Sequence, residues 1–277
     1  MLQIQNLSYT YPGGSAPVIS MLNLGMNPGG IYGLLGANGT GKSTLLYLIS
    51  GLLKPQHGTV EFDGCNTLLR RPHTLSDIFL VAEEFEVPAI MLKEFVRLNA
   101  QFYPKFSQEQ MNSYLEHFRL TPDIHLGHLS MGQRKKAFIA FALACNTRLL
   151  LMDEPTNGMD IPGKAEFRRA IVSAANDERT VVISTHQVRD LDQVLDHVIM
   201  IDLKGVILNT SLTDIQQKLQ FIFTHEPAEC TGALWSSPVV GGYSVIRRRP
   251  EGFDETEVNL ESLFEFAYTN PEIVKTL

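Results

Sequence analysis

The sequence predicts an α/β fold, and three observations carry that prediction. Apolar segments of strand length alternate with segments of helical periodicity over most of the chain. One strand-like run, Gly30 to Leu35, opens into a glycine-rich loop and then a helix. Another, Arg148 to Met152, is almost wholly apolar and ends in two adjacent carboxylates, Asp153 and Glu154.

Taken in order, Leu2, Ile4 and Leu7 alternate with polar residues and read as a strand that ends at the turn Tyr11-Pro12-Gly13-Gly14. Val18 to Met26 reads as a second strand and Gly30 to Leu35 as a buried one. Ser43 to Leu53 has helical periodicity, closed by Gly51 and Pro55. His57 to Phe62 and Ile78 to Ala82 are strands, and residues 91–146 are mostly helical. Arg148 to Met152 is apolar enough for an inner strand of a parallel sheet. Ile161 to Asn176 and Val188 to Leu195 read as helices, Thr180 to Ser184 and Val198 to Ile201 as strands, and Thr213 to Leu219 as a closing helix. Beyond it, Phe221 to Thr224 and Tyr243 to Arg248 read as strands and Glu261 to Tyr268 as a last helix.

Composition narrows the function classes. The 277 residues are 44% hydrophobic and 19% charged, as in globular proteins that bury a core. No apolar run approaches the ~20 residues that cross a bilayer, and the first residues carry no basic or apolar leader pattern. The net charge of -7 argues against a nucleic-acid surface, so no nucleic-acid partner is expected. Arg247-Arg248-Arg249 reads as a solvated face. Cys65, Cys145 and Cys230 form no ligand pattern and read as free thiols of a reducing compartment.

Gly36-Ala37-Asn38-Gly39-Thr40-Gly41-Lys42-Ser43-Thr44 matches the Walker A pattern, G-x-x-x-x-G-K-[ST]. Glycines let backbone wrap round phosphates, and loop N–H groups with the following helix N-terminus offer them positive potential. Lys42 is placed to reach the β- and γ-phosphates, and the Ser43 hydroxyl to ligate Mg²⁺. Asp153, at the carboxyl edge of the sheet, can hold Mg²⁺. Glu154 faces elsewhere and can orient and deprotonate a water.

Leu129-Ser130-Met131-Gly132-Gln133 resembles the Leu-Ser-Gly-Gly-Gln signature of ABC (ATP-binding cassette) proteins, and Arg134-Lys135-Lys136 resembles the basic residues after it. With the phosphate loop before it and the Asp153 strand after it, the resemblance covers residues 1–219. It implies a P-loop NTPase with a mixed central sheet, an antiparallel β subdomain and a helical subdomain at about 84–146. A small C-terminal α+β appendage, 220–277, follows. It also implies head-to-tail pairing, in which Ser130, Met131, Gly132 and Gln133 of one chain meet the γ-phosphate held by Lys42 of the other. Met131 departs from the family's usual glycine.

Other family segments are found in the same order. Tyr11 matches the aromatic that stacks on adenine. Asn157-Gly158-Met159-Asp160 resembles the D-loop, with Asp160 at the dimer interface. Ser184-Thr185-His186 resembles the H-loop, with His186 against the γ-phosphate. Ile78 to Glu83 resembles the strand before the Q-loop, but Glu83 stands where the family has Gln. A carboxylate so near triphosphate is repulsive unless Mg²⁺ lies between, which makes Glu83 a candidate metal-side ligand.

The resemblance implies an ATPase that uses ATP and Mg²⁺, pairs with an identical or different cassette, and energises a separate polytopic membrane permease from the cytoplasmic face. The phrases Ile31 to Gly36 and Leu260 to Phe264 look like those of bacterial ABC-2-type exporters, so export is the expected direction. The alternatives are a soluble ABC ATPase without a permease and a nucleotide-dependent module that does not hydrolyse.

Overall fold

The computed structural model describes residues 2–191, 193–250 and 252–275. Alternation sets the first sheet. In β1 (Leu2–Tyr9) Leu2, Ile4, Leu7 and Tyr9 turn inward, and in β2 (Ile19–Met26) Ile19, Leu22, Leu24 and Met26 do the same. In β3 (Ile31–Leu35) every residue is buried, and the phosphate loop leads from it into α1 (Lys42–Ile49). β4 (His57–Phe62) and β5 (Cys65–Asn66) complete an antiparallel sheet of order β2-β1-β4-β5.

Short α2 (Pro72–Leu75) leads to β6 (Ile78–Val81). The helical region follows as α3 (Leu92–Asn99), α4 (Gln108–His117) and α5 (Met131–Ala144). Fully buried Phe141 of α5 gathers the rings of Phe79, Phe95, Tyr103 and Phe106, with centroids 5.3–6.2 Å away. Burying such a ring contributes roughly 1.5–3 kcal/mol.

Next come β7 (Leu149–Asp153), α6 (Ile161–Ala174), β8 (Thr180–Thr185), β9 (His197–Asp202), β10 (Gly205–Ser211) and α7 (Leu212–Lys218). The six-stranded sheet runs β10-β9-β3-β8-β7-β6, parallel except for β10. Both faces are covered. Leu149 and Leu151 pack with α1 and the antiparallel sheet, whereas Leu150 and Met152 pack with α5 and α6. Two-sided burial is why β7 reads as an unbroken apolar run rather than an alternating one.

β11 (Leu219–Thr224), β12 (Trp235–Val239) and β13 (Gly242–Arg248) form an antiparallel sheet of order β11-β13-β12. α8 (Leu260–Thr269) and α9 (Pro271–Val274) follow it. Leu219, Ile246, Leu263 and Phe266 belong to the same core as the helices over the central sheet.

Four expectations need correction. The first helix ends at Ile49, not Leu53, because Gly51 turns left-handed at φ 70° and packs its α-carbon against the Thr67 carbonyl. The segment expected as a helix from Val188 to Leu195 begins with a short 3-10 turn, Val188–Leu191, and Asp192 lies outside the described residues. There Asp190 is drawn inward by Thr156 Oγ1 at 2.8 Å and by the Lys164 ammonium, which competes with a regular helix. β10 and β12 were not expected. Pro238 in β12 is tolerated because β12 is an edge strand. Finally, Arg247 and Arg249 are half-buried and paired rather than freely solvated: Arg247 donates to Gln220 at 3.0 Å and Arg249 to Glu255 at 2.9 Å.

Candidate functional site

The carboxyl ends of β3, β7 and β8 meet at one edge of the sheet, and they deliver the phosphate loop, Asp153 and Ser184-Thr185-His186 together. The loop's shape depends on two glycines. A Cβ on Gly36 would stand 2.5 Å from Thr40 Oγ1 and 2.8 Å from the Ile201 carbonyl. Gly41 caps α1 at φ 93°, a left-handed conformation that a side chain resists. No side chain caps α1, so its first N–H groups face the cavity as an anion site.

That cavity is about 380 Å³ and is lined by Asn38, Gly39, Gly41, Lys42, Ser43 and Thr44 on one side. Tyr11, Val18, Glu83 and Glu154 line the rest. A larger concavity of about 980 Å³ lies against the C-terminal sheet and shares no residue with it. The chemistry belongs to the smaller one, where backbone donors, an ammonium and carboxylates converge.

Lys42 donates to the carbonyls of Gly36 at 2.8 Å and Ala37 at 3.2 Å, and lies 4.0 Å from Glu154 Oε1. Burial lowers its pKa, while the carboxylates of Glu154, Asp153 and Glu83 oppose that shift. Thr40 closes the loop by donating to the Ala37 carbonyl at 2.9 Å. Tyr11 stands edge-on to Tyr9, its hydroxyl 3.0 Å from Thr44 Oγ1, with a 42% exposed ring at the cavity mouth.

Asp153 and Glu154 point different ways, as expected of successive residues. Asp153 Oδ1 accepts from Ser184 Oγ at 2.5 Å, and its Oδ2 is buried with no hydrogen-bond partner among the described residues. Glu154 is left-handed at φ 43°, and its N–H donates to the Ser184 carbonyl at 3.1 Å. Its Oε1 accepts from the His186 backbone N–H at 3.0 Å and lies 2.7 Å from His186 Nδ1. Its Oε2 is buried and unpartnered among the described residues. The two orphaned oxygens fit a site completed by a cation and by water.

Glu83 Oε1 accepts from Asn157 Nδ2 at 2.8 Å, which ties the Q-loop position to the D-loop segment. Asn157 in turn accepts from Gln187 at 3.3 Å. Glu84 and Glu86 are exposed.

The signature residues Ser130, Met131, Gly132 and Gln133 do not line this cavity, nor does Asp160. Ser130 caps α5 in a reciprocal box: Gln133 N–H donates to Ser130 Oγ at 3.3 Å, and Ser130 N–H donates to Gln133 Oε1 at 3.0 Å. Met131 is 62% exposed and lies over Gly158. Asp160 caps α6 by accepting from Gly163 N–H at 3.0 Å. The N-terminus of α5 therefore lies outside the cavity.

Sequence reasoning missed Ser184 as the residue that fixes both Asp153 and Glu154. The signal was present, since parallel register sets Asp153 opposite Ser184 once β7 and β8 are neighbours. It also missed the contacts of Asn157 with Glu83 and of Lys135 with Glu154, which join segments far apart in sequence.

A family profile described as ABC transporter matches residues 19–157, half of the chain. The ABC transporter ATP-binding protein YdbJ of Bacillus subtilis is 32% identical over 89% of this chain and 83% of its own length. The chain belongs to the ABC transporter family. The bacitracin transport ATP-binding protein BcrA of Bacillus licheniformis is 34% identical, over 67% of this chain and 62% of its own length. A dimeric post-hydrolysis structure of the ATP-binding cassette MJ0796, bound to ADP and Pi, superposes with TM-score 0.66 at 25% identity, over 76% of this chain and 99% of that one. As an ABC transporter ATPase subunit with the P-loop NTPase fold, the protein binds and hydrolyses ATP. Among the described residues, no helix is long and apolar enough to cross a membrane.

Proposed function

We propose that this ABC ATPase drives a polytopic membrane permease, through ATP-dependent pairing of two cassettes, in the direction of export. The observation that carries the reading is the division of anion-binding groups. The phosphate loop, Lys42 and Glu154 share one cavity, while the Ser130 to Gln133 segment opens α5 outside it. A second chain placed head to tail supplies its own α5 terminus to the γ-phosphate, and two-fold symmetry makes both sites equivalent in a homodimer.

In this reading Tyr11 stacks on the adenine. Gly36, Ala37, Asn38, Gly39, Thr40 and Gly41 wrap the phosphates, and Lys42 and Thr44 contact them. Ser43, Asp153, whose Oδ2 is unpartnered among the described residues, and Glu83 would hold Mg²⁺, which would offset the charge of the phosphate oxygens. Glu154 Oε2 takes a proton from the attacking water. The water oxygen bonds to the γ-phosphorus as the bond to the bridging oxygen breaks, and the charge spreads to ADP and phosphate. Lys42 and the partner's Ser130 stabilise that charge, and His186 holds Glu154 in place. Asp160 lies at the pairing surface.

Loss of the bridging phosphate separates the cassettes, and that motion is the output. Residues 84–146 form the face that receives the permease, with the rings of Phe85 and Phe95 each against Phe138 and with Phe102 64% exposed. Residues 220–277 form an appendage to the cassette of residues 1–219. The direction is supported by a relative named Nod factor export ATP-binding protein I, from Cupriavidus metallidurans, 30% identical over 73% of this chain. Gentle detergent extraction of tagged protein tests the transport reading. A polytopic membrane protein is expected to come with it, and a complex free of membrane proteins would favour an ATPase that works without a permease.

A further inference from the structure

Lys135 is a buried lysine that the chemistry above does not use. It lies on α5, five residues after Ser130, and is 3% exposed. Its Nζ donates to the backbone carbonyl of Glu154 at 3.0 Å. Burial lowers its pKa, and the carboxylates of Glu83, Glu154 and Asp153 oppose the shift.

Glu154 needs such a partner. It is one of few non-glycine residues here with a left-handed backbone, φ 43°, a conformation that persists only where the surroundings over-determine it. The peptide before it is held by β8, through N–H donation to the Ser184 carbonyl at 3.1 Å and hydroxyl at 3.2 Å. The carbonyl after it is held by Asn157 N–H at 3.2 Å and by Lys135. The Asn157 bond is a local turn contact. The Lys135 bond is the one that reaches across from α5 and carries charge, so it is the stronger constraint. A desolvated ammonium is costly unless paired, and this one is placed against the Glu154 carbonyl.

We propose that Lys135 is a positioning residue for ATP hydrolysis: through the Glu154 carbonyl it holds that residue's left-handed backbone, and with it the carboxylate that faces the cavity. This rests on the reading of Glu154 as the base.

The test is steady-state ATP hydrolysis by the full chain carrying Lys135→Met, Lys135→Gln, Glu154→Gln and the pair Lys135→Met with Glu154→Gln. Lys135→Met is expected to lower kcat by about tenfold or more while KM stays within about twofold, the pattern of a group acting only on the chemical step. Lys135→Gln keeps a donor without charge and is expected to recover about threefold or more of that loss. With Glu154→Gln already present, Lys135→Met should change the residual rate by less than about twofold, because both act through one group. A parent kcat for Lys135→Met beside an inactive Glu154→Gln overturns the role of Lys135 alone. So does an undiminished effect of Lys135→Met in the Glu154→Gln background. Glu154→Gln at the parent rate overturns both readings together. If neither Lys135 variant folds by circular dichroism, Lys135 serves the fold rather than the site, and the proposal is overturned.

Discussion

His186 grips Glu154 through two atoms at once: its backbone N–H donates to Glu154 Oε1 at 3.0 Å, and its Nδ1 lies 2.7 Å from the same oxygen. The other ring nitrogen, Nε2, lies 3.5 Å from Gln187 Nε2. Orientation of the carboxylate is then the histidine's task in the free protein. His186→Ala removes one of the two donors and is expected to lower kcat by roughly 10²-fold, with ATP affinity little changed. Phosphate release with saturating and limiting ATP checks this; a variant that loses affinity but keeps kcat would place His186 on the nucleotide instead.

Tyr11 offers an exposed ring at the cavity mouth while its hydroxyl is tied to Thr44. Tyr11→Ala is expected to weaken ATP binding by about 0.5–1.5 kcal/mol, the worth of one aromatic stack. Tyr11→Phe keeps the ring and is expected to bind nearly as the parent does. Calorimetric titration separates the two, and equal losses in both would assign the effect to the hydroxyl.

Much of this was legible in the sequence, and the reason is local. Walker A, the Asp153-Glu154 pair and His186 sit at strand ends or helix starts, where a few adjacent residues set the chemistry. β3, β7 and β8 were legible because inner parallel strands are buried on both faces, which leaves short unbroken apolar runs at their centres. The grips of Lys135 on Glu154 and of Asn157 on Glu83 were not, because they join segments 19 and 74 residues apart. β10 and β12 were missed for another reason. They are edge strands, so their residues are only partly buried and their patterning is weak.

Met131 and Gly158 form a second testable pair. A Cβ on Gly158, whose φ is +79°, would stand 2.4 Å from Met131 Cε. Gly158→Ala is therefore expected to destabilise by at least about 1 kcal/mol, part from backbone strain and part from the clash. Met131→Ala added to it should recover the clash and leave the strain. Urea unfolding of the parent, Gly158→Ala, Met131→Ala and the double variant reads both parts, and no recovery would show that the methionine simply moves aside.

Tyr103 predicts an alkaline transition. Burial, with Cys145 adding to it, pushes its pKa from 10.0 up to about 12. Between those values the unfolded chain has released a proton that the folded chain still holds, so stability falls as pH rises through this window. Below pH 10 the group contributes no slope. Tm measured from pH 9 to pH 12 is expected to drop less steeply in Tyr103→Phe than in the parent; identical profiles would contradict the assignment.

In the proposed mechanism ATP joins two of these chains, and Glu154 dissolves the joint. The most direct measurement is the solution mass of Glu154→Gln by light scattering, with Mg²⁺ and either ATP or ADP. Twice the monomer mass is expected with ATP, and the monomer mass with ADP. A monomer in both, or a Glu154→Gln variant that releases phosphate at the parent rate, would contradict it.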